Sequence, residues 1–358
     1  MLANATRLIC AASALGLAAC NEAANSSSKT EQSSSARIAA ALDVCTQARD
    51  QFAQHVCGNR RLAALDGQVR GALVTEAADV SDAGAALLVQ NQTRWRNAQQ
   101  IACGITDPSA QPTAEQQACL EGRFRARVAE SRNAVQEIGG YTFQRMELVD
   151  AAPASASASL TPNAGGDAAP VERDIRFPRI DGPQTPQIRR FNELVAQEPQ
   201  FRLQDATSEA TDYTITYAGP ELISVRFNAL QETAGAANVN HIVKAVTVLM
   251  TEGRPLTAED VFQADSHWQD FITDRAVADI QRQMPDYPRP PRRDVYETAT
   301  KAHLWLVTER GLVLLFPPLS VGGWSLADPP EGLEVTIPWG DLRPYLNPAA
   351  PVPIRPSA

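Results

Sequence analysis

The run DYTITYAGPELISVRFNAL (212–230), followed by NHIVKAVTVLM (240–250), decides the fold class of this chain. Both stretches are rich in β-branched and aromatic residues and are broken by Gly, Pro and Asn, which is typical of strands joined by turns. Helical spacing is seen at Ile188 to Ala196 and at His267 to Met284. Further strands are predicted at KAHLWLVT (301–308), GLVLLF (311–316) and LEVTIPW (333–339). Strands in runs with helices between them indicate an α+β domain with a mainly antiparallel sheet.

The region before these strands is predicted to form a small helical domain. Three short helices bury only a small core, so disulfides are expected to matter here. A tight connection is expected at SDAG (81–84), and a third helix is predicted from Glu115 to Gln136. The first two helices are indicated by apolar residues at helical spacing, namely Leu62, Leu65, Val69 and Leu73, then Leu88, Trp95, Ala98 and Ala102.

The first twenty residues, MLANATRLICAASALGLAAC, have the organisation of a secretory signal, with Arg7 ahead of an apolar run. Their ending, LAAC, resembles the lipobox of bacterial lipoproteins. That resemblance implies that Cys20 becomes the lipidated N-terminus and anchors the chain, and Asn21 is permissive for export to the outer membrane. An ordinary secretory signal is the alternative. No later apolar run approaches the roughly twenty residues that a membrane-spanning helix needs. We therefore expect a lipid-anchored protein of the cell envelope, facing the periplasm from the outer membrane.

Four cysteines remain after the signal and the lipidation site: Cys45, Cys57, Cys103 and Cys119. An even set within one short segment of an exported protein predicts two disulfides. A zinc site is not expected, because no C-x-x-C spacing occurs and His55 is the one histidine in the segment. A catalytic cysteine is not expected either, since it would need an unpaired thiol and a histidine partner.

Four cysteines allow three pairings. The local pairing, Cys45 with Cys57 and Cys103 with Cys119, is favoured because it closes short loops. It requires a break in the helix between Cys45 and Cys57, since twelve residues of straight helix would separate them by about 18 Å. The pairing of Cys57 with Cys103, which would join two helices, stays open.

Two low-complexity stretches divide the chain. NEAANSSSKTEQSSS (21–35) is Ser-rich and aperiodic, and AAPASASASLTPNAGGDAAP (151–170) has no aromatic residue, so both are expected to be linkers. The predicted organisation is a signal peptide at 1–19, a tether at 20–35, a helical domain at 36–148, a linker at 149–170, an α+β domain at 171–347 and a Pro-rich tail at 348–358.

Acidity belongs to the second half of the chain. Residues 36–145 carry 12 Arg and 11 Asp or Glu, whereas residues 146–358 carry 18 Lys or Arg and 28 Asp or Glu, a net charge of −10. This balance disfavours nucleic acid and anionic lipid as ligands, because both require basic patches. It favours a cationic partner. Solvated acidic faces that only aid solubility are the alternative.

The helical region resembles the LprI family of exported lysozyme inhibitors over residues 45–132. The resemblance is carried by the four-cysteine framework, by LAALD (62–66) after Cys57, and by the spacing from Gln92 and Trp95 to Cys103. The family usually has Arg-Asp four and five residues after the Trp, where this chain has Gln99 and Gln100.

The second region resembles the extracytoplasmic domain of the anti-sigma factor RsiV, which is also found beside the catalytic domain of the deacetylase PdaC. FPRIDGPQTPQIRRFNELV (177–195), GRPLTAEDVF (253–262) and GLVLLFPPLSVGGWSLADPPEGLEVTIPWGDLRPYL (311–346) carry this resemblance. The family often has a Gly-Gly-Ala-His element before its third strand, where this chain reads GAANVNH (235–241).

Both resemblances imply a non-catalytic protein that binds lysozyme or a related cationic envelope protein, and inhibition of lysozyme is a consequence that such binding allows. The alternative is an envelope scaffold that binds peptidoglycan or another envelope protein. An uncharacterised hydrolase ranks last, because no metal motif, G-x-S-x-G or phosphate loop occurs. No catalytic residue, metal, cofactor or nucleic acid is expected.

Individual polar residues are interpreted as follows. The expected partner-binding patch is the loop from Val321 to Pro330, because it places Trp324 and Asp328 in a Gly/Pro-rich segment. A packed turn without a binding role is the alternative. Asp66 is expected to pair with an Arg inside the helical bundle. Glu259 and Asp260 are read as a helix start capped by Thr257, and His303 and Trp305 as neighbours on one face of a strand.

Overall fold

The structure is a computed structural model that describes residues 35–46, 50–153, 170–197, 207–233, 239–321 and 332–355. It has an α+β fold with a seven-stranded, mostly antiparallel sheet and two disulfides in its helical N-terminal region. These features confirm the predicted fold class. Within the described residues, no helix combines the length and the apolar character needed to cross a bilayer.

The N-terminal region is helical. Ser81 caps the fourth helix by accepting a hydrogen bond from Gly84 N–H, and Thr113 with Gln116 forms a capping box on the fifth. Trp95 and Phe124 pack edge to face in its core, with ring centroids 5.0 Å apart. The helices are α1 (35–42), α2 (Gln51–Gly58), α3 (Arg60–Glu76), α4 (Asp82–Ala102) and α5 (Ala114–Ser131).

The main sheet has its strands in chain order, β1 to β7. All neighbouring strands are antiparallel except β3 and β4, which are parallel and are joined through helix α6 (Pro186–Gln197). The strands are β1 (Val135–Ile138), β2 (Tyr141–Ala152), β3 (Val171–Ile180), β4 (Thr207–Ala218), β5 (Leu222–Thr233), β6 (Asn240–Leu249) and β7 (Arg254–Pro255).

A second, three-stranded sheet and its helices follow. The remaining elements are α7 (Ala258–Val261), α8 (Trp268–Gln283), α9 (Arg292–Ala299), β8 (Trp305–Val307), β9 (Gly311–Phe316), β10 (Leu333–Pro338) and α10 (Trp339–Leu342), and the strand order in this sheet is β10, β9, β8. Trp305 is fully buried in the core between this sheet and α8. Hydroxyl groups of the main sheet bind the backbone of β8: Ser224 Oγ accepts from Val307 N–H, and Thr247 Oγ1 donates to Trp305 O.

A buried ionic network joins the helices to the sheet. Arg127 of α5 contacts Glu147 of β2 through two pairs of atoms, at 2.9 and 2.7 Å, and both side chains are 2 % exposed. Arg145 donates to the same carboxylate at 2.8 Å. Gln92 accepts from Arg127 Nε at 2.9 Å, and the guanidinium lies 5.3 Å from the ring centroid of Trp95. The helices and the sheet therefore share one interior, in which Glu147 is buried.

The two disulfides close local loops. Cys45 is bonded to Cys57, and Cys103 to Cys119, with Cα atoms 5.4 and 5.8 Å apart. This is the pairing that the spacing favoured, and the required break lies between the two cysteines, because α1 ends at residue 42 and α2 begins only at Gln51. Asp66 forms the expected ion pair inside the bundle, with Arg96 at 2.6 Å, and both are buried.

We expect loss of the Cys103–Cys119 disulfide to destabilise the protein by about 3 kcal/mol, because the bond closes a loop of 16 residues. The check is urea unfolding of the Cys103→Ser/Cys119→Ser variant. Cys45→Ser/Cys57→Ser serves as the matched comparison, with a separation of 12 residues and an expected effect of about the same size. Unchanged midpoints in both variants would contradict the prediction.

The third predicted helix is too long by five residues. It ends at Ser131, and Val135 begins strand β1. The reason is the hairpin that follows, because Gly139 and Gly140 both have positive φ angles, as a type I′ turn requires. A Cβ atom at Gly139 would lie 2.1 Å from Ala218 O. Residues from Val135 onward therefore pair with β2 in a strand, although their apolar spacing is helical.

His303 does not share a strand face with Trp305, so that prediction is wrong. It lies in a 3₁₀ turn, Ala302–Leu304, and is exposed, whereas β8 begins only at Trp305. The strand begins directly after this turn, where the indole N–H of Trp305 donates to Ala299 O at 2.6 Å.

The expected domain limits do not coincide with breaks in the structure. Position 148 lies inside β2, and β2 pairs with β3 over ten residues on the far side of the expected linker, of which 154–169 are outside the described residues. The expected Pro-rich tail also contributes to the core, because Ala350 and Ile354 are fully buried.

Candidate binding groove

The two faces of the main sheet are covered unequally. Helix α6 packs on one face, which carries Ile175, Val225 and Val246. On the other face, α4 and α5 lie over β2 and β3, whereas β8 and β9 lie over β5 and β6. The first half of strand β4 and the adjoining part of β5 lie between these two layers, so this part of the second face is open. Further along β4, Thr216 donates to Val307 O of β8.

Alternating burial along β4 identifies the open face. Residues 210, 212 and 214 are exposed, whereas residues 209 and 211 are buried. Successive side chains of a strand point to opposite faces, so the exposed ones share a face. Their exposed partners on β5, Leu230 opposite Ala210 and Asn228 opposite Asp212, lie on the same face of the sheet. We define the open strip as Ala210, Asp212, Thr214, Asn228 and Leu230.

A cavity of about 360 Å³, here called the strip cavity, lies at one end of the open strip. Its floor follows the register across the sheet in two rows, the first of Asp212, Asn228 and Val243, the second of Asp174, Ala210, Leu230 and His241. In antiparallel pairs, facing Cβ atoms are about 4.5–5.5 Å apart. The strip cavity therefore combines carboxylate and amide oxygens with aliphatic side chains over a short distance.

The strip cavity borders both flanking layers. Arg176, which lines it, reaches Glu130 of α5 at 3.1 Å. Val243, which also lines it, packs with Leu306 and Val313 of the second sheet. The shape of the cavity thus depends on the docking of both layers onto the main sheet.

The positive charge of Arg176 is compensated inside the protein. Its guanidinium binds Asp174 at 2.6 Å and Glu130 at 3.1 Å. Burial opposes this charge, but the hydrogen bonds and charges of Asp174 and Glu130 outweigh burial and raise the pKa of Arg176 above its usual range. Arg176 is therefore permanently protonated and held by two carboxylates, which limits its repulsion of an incoming cation.

Asp212 differs from Asp174 in its surroundings. It is exposed, and its carboxylate accepts a hydrogen bond from the N–H of Tyr213 at 2.9 Å. Glu232 is exposed on the same face of β5, two residues beyond Leu230. Arg226, the basic residue of β5 on this face, is bound to Glu334 of the second sheet. Exposed charge around the cavity is thus mainly negative, an arrangement that attracts cations.

Several predicted sites cannot be placed. Trp324 and Asp328 of the expected partner-binding loop lie within 322–331, and Cys20 lies within 1–34, both outside the described residues.

Glu259 and Asp260 were predicted to begin a helix that Thr257 caps. Asp260 accepts from Thr257 N–H at 2.8 Å and pairs with Arg254 at 2.7 Å, so its carboxylate caps α7.

The part of the chain that the structure describes contains no cluster of three or more His, Cys, Asp or Glu side chains suited to a metal ion. His55 of α2 instead has its Nε2 within 2.8 Å of Pro108 O, beside the Cys103–Cys119 loop. This histidine joins α2 to that loop.

The strip cavity was missed from the sequence. The polar–apolar alternation in DYTITY (212–217) places Asp212, Thr214 and Thr216 on one face, and this signal was available. What the alternation does not contain is the strand order and register that bring Asn228, Val243 and His241 beside Asp212.

Comparison with known proteins gives structural neighbours only. No family model and no curated protein matches the chain. A DUF3298 family protein from Bacteroides fragilis is 12 % identical with a TM-score of 0.37, over 59 % of this chain and 96 % of that one. A DUF3298 family protein from Pseudomonas aeruginosa is 13 % identical with a TM-score of 0.40, over 61 % of this chain and 98 % of that one.

Proposed function

We propose that this chain is a non-catalytic binding protein of the cell envelope whose partner is a basic protein, with animal-type lysozyme as the first candidate. In this proposal acyl chains on Cys20 anchor it to the outer membrane on the periplasmic side. The observation that supports it best is the open strip, an uncovered part of the sheet that has the strip cavity at one end, the exposed carboxylate of Asp212 within it and that of Glu232 beside it.

The charge of the second half supports the same partner class. A net charge of −10 over residues 146–358 accelerates encounter with a strongly basic protein and disfavours acidic competitors. The resemblance of the two regions to the LprI and RsiV families is what selects lysozyme among basic proteins. The alternative, a scaffold that binds peptidoglycan, does not use this charge.

We expect the purified chain from residue 21 onward to slow the lysis of cell walls by animal-type lysozyme in a turbidity assay. It should also co-migrate with lysozyme on a size column. Because the attraction is electrostatic, raising the salt from about 50 mM to about 500 mM should weaken the complex about tenfold or more. Carbamylated lysozyme, which lacks lysine charges, is the control and should bind weakly.

Two outcomes decide against the proposal. One is the absence of both slowing and co-migration at micromolar excess of the chain. The other is retention on purified peptidoglycan without any binding of lysozyme, which would favour the scaffold.

A further inference from the structure

We infer that the strip cavity is an anchor pocket for one basic side chain, arginine or lysine, of the bound partner. The inference rests on the proposed function in one respect, namely that the partner is cationic. It adds the place of contact, the chemical group that is recognised and the residues that recognise it.

The aliphatic part of the pocket fits the stem of a basic side chain. The side chains of Leu230 and Val243 line the cavity, and Leu230 is 43 % exposed although it is a large apolar residue. Lysine and arginine side chains lay their methylene stems on such surfaces while their charged heads reach polar groups. Burial of the stem would also cover the exposed part of Leu230.

The polar part fits the charged head. Asp212 and Asn228 face each other in the first row of the floor. Asn228 Oδ1 already accepts a hydrogen bond from Arg226 Nε at 2.9 Å, so the exposed carboxylate of Asp212 is the principal acceptor for an incoming charged head. Hydrogen bonds from a guanidinium or an ammonium group to a carboxylate are roughly twice as strong as neutral ones. Arg176 also lines the pocket, but Asp174 and Glu130 already bind its guanidinium.

The size of the pocket limits what enters it. A volume of about 360 Å³ is near the lower end of the range for ligand pockets, about 300–1,000 Å³. It accommodates a side chain but not a helix or a strand of a partner. A pocket that holds one buried charged anchor is typical of the few positions that dominate an interface.

The test uses two small probes and the purified chain. N-acetyl-arginine methylamide carries the proposed anchor, and N-acetyl-citrulline methylamide has nearly the same shape without the charge. We expect the arginine probe to shift the NMR methyl signals of Leu230 and Val243 and the citrulline probe to leave them unchanged. Equal shifts with both probes, or no shift with the arginine probe, would overturn the inference.

Two variants supply the matched charge change. Asp212→Asn removes the carboxylate at an exposed position, and Asp286→Asn makes the same change in the loop after α8, away from the cavity. We expect Asp212→Asn to weaken the binding of lysozyme and of the arginine probe about tenfold, and Asp286→Asn to have little effect on either. Equal thermal unfolding temperatures of the two variants verify that both are folded. Lysozyme binding that is insensitive to Asp212→Asn would refute the anchor pocket and leave the proposed function standing. Binding of the arginine probe without any binding of lysozyme would refute the proposed function and leave the anchor pocket standing.

Discussion

Replacement of Glu147 by Gln is expected to lower the free energy of unfolding by about 3–5 kcal/mol. The substitution keeps the shape of the side chain but removes the charge that compensates Arg127, and both residues are 2 % exposed. An uncompensated charge in such a site is among the most destabilising changes that a single substitution makes. The measurement is urea unfolding followed by circular dichroism at neutral pH.

The control for Glu147→Gln is Glu297→Gln. Glu297 forms an exposed ion pair with Arg293 on α9, where the two side chains are 54 % and 85 % exposed. Exposed pairs of this kind contribute about 0.2–1 kcal/mol at most. A double variant, Arg127→Met with Glu147→Gln, should cost less than the sum of the single variants, because it removes the orphaned charge. Equal losses for Glu147→Gln and Glu297→Gln would contradict the prediction.

The same carboxylate gives the effect of Glu147→Gln a pH dependence. Burial by itself would raise the pKa of Glu147, but the charges and hydrogen bonds of Arg127 and Arg145 outweigh it and lower the pKa to about 2. A depressed carboxyl pKa stabilises the fold above the unfolded value of 4.5, and this stabilisation is lost as the pH falls toward 2. The stability difference between the wild type and Glu147→Gln should therefore shrink between pH 5 and pH 2, at about 1.4 kcal/mol per pH unit at most.

Replacement of Trp305 by Ala is expected to cost about 3–5 kcal/mol, through the cavity left by a fully buried indole. The ring packs edge to face against Trp268 and Phe262, each with centroids 5.5 Å away. Its N–H donates to Ala299 O, which would lose this partner. The measurement is guanidinium unfolding.

Trp305→Phe separates the contribution of the buried ring of Trp305 from that of its indole hydrogen bond. It keeps much of the aromatic volume and loses the hydrogen bond, so we expect a smaller cost of about 1–3 kcal/mol. Because β8 starts at Trp305 and lies over β5 and β6, the alanine variant should also loosen one wall of the strip cavity. A cost below about 1 kcal/mol for Trp305→Ala would show that the core around it repacks easily.

Some of this architecture could be predicted from local sequence. Strand and helix types followed from the runs at 221–230 and 240–250 and from the stripe along α8, which includes Ile272, Ala276 and Ile280. The helix break that the Cys45–Cys57 bond requires was likewise deducible from helix geometry. These are properties of neighbouring residues, in which local preference and the final fold agree.

The groove required long-range information that the sequence pattern lacks. Asp212 and Val243 line one cavity only because β5 lies between their strands in a particular register. Val135 has helical spacing from Val128, yet it pairs with Gln144 because two glycines turn the chain back. Which part of the sheet stays uncovered depends on where α5 and β8 dock, and no single run of residues encodes that.

Strand β2 has a consequence for anyone who divides this protein into pieces. A fragment beginning after residue 170 would lack β2, and β3 would become an edge strand held to β4 by three paired positions, Arg173 to Ile175. The ten positions of β3 that now pair with β2 would be free to pair with other molecules, a common origin of aggregation. Expression of the sheet region by itself should give insoluble protein, whereas cutting upstream of the helices leaves the sheet intact. The sequence linker is thus a poor place to divide the gene.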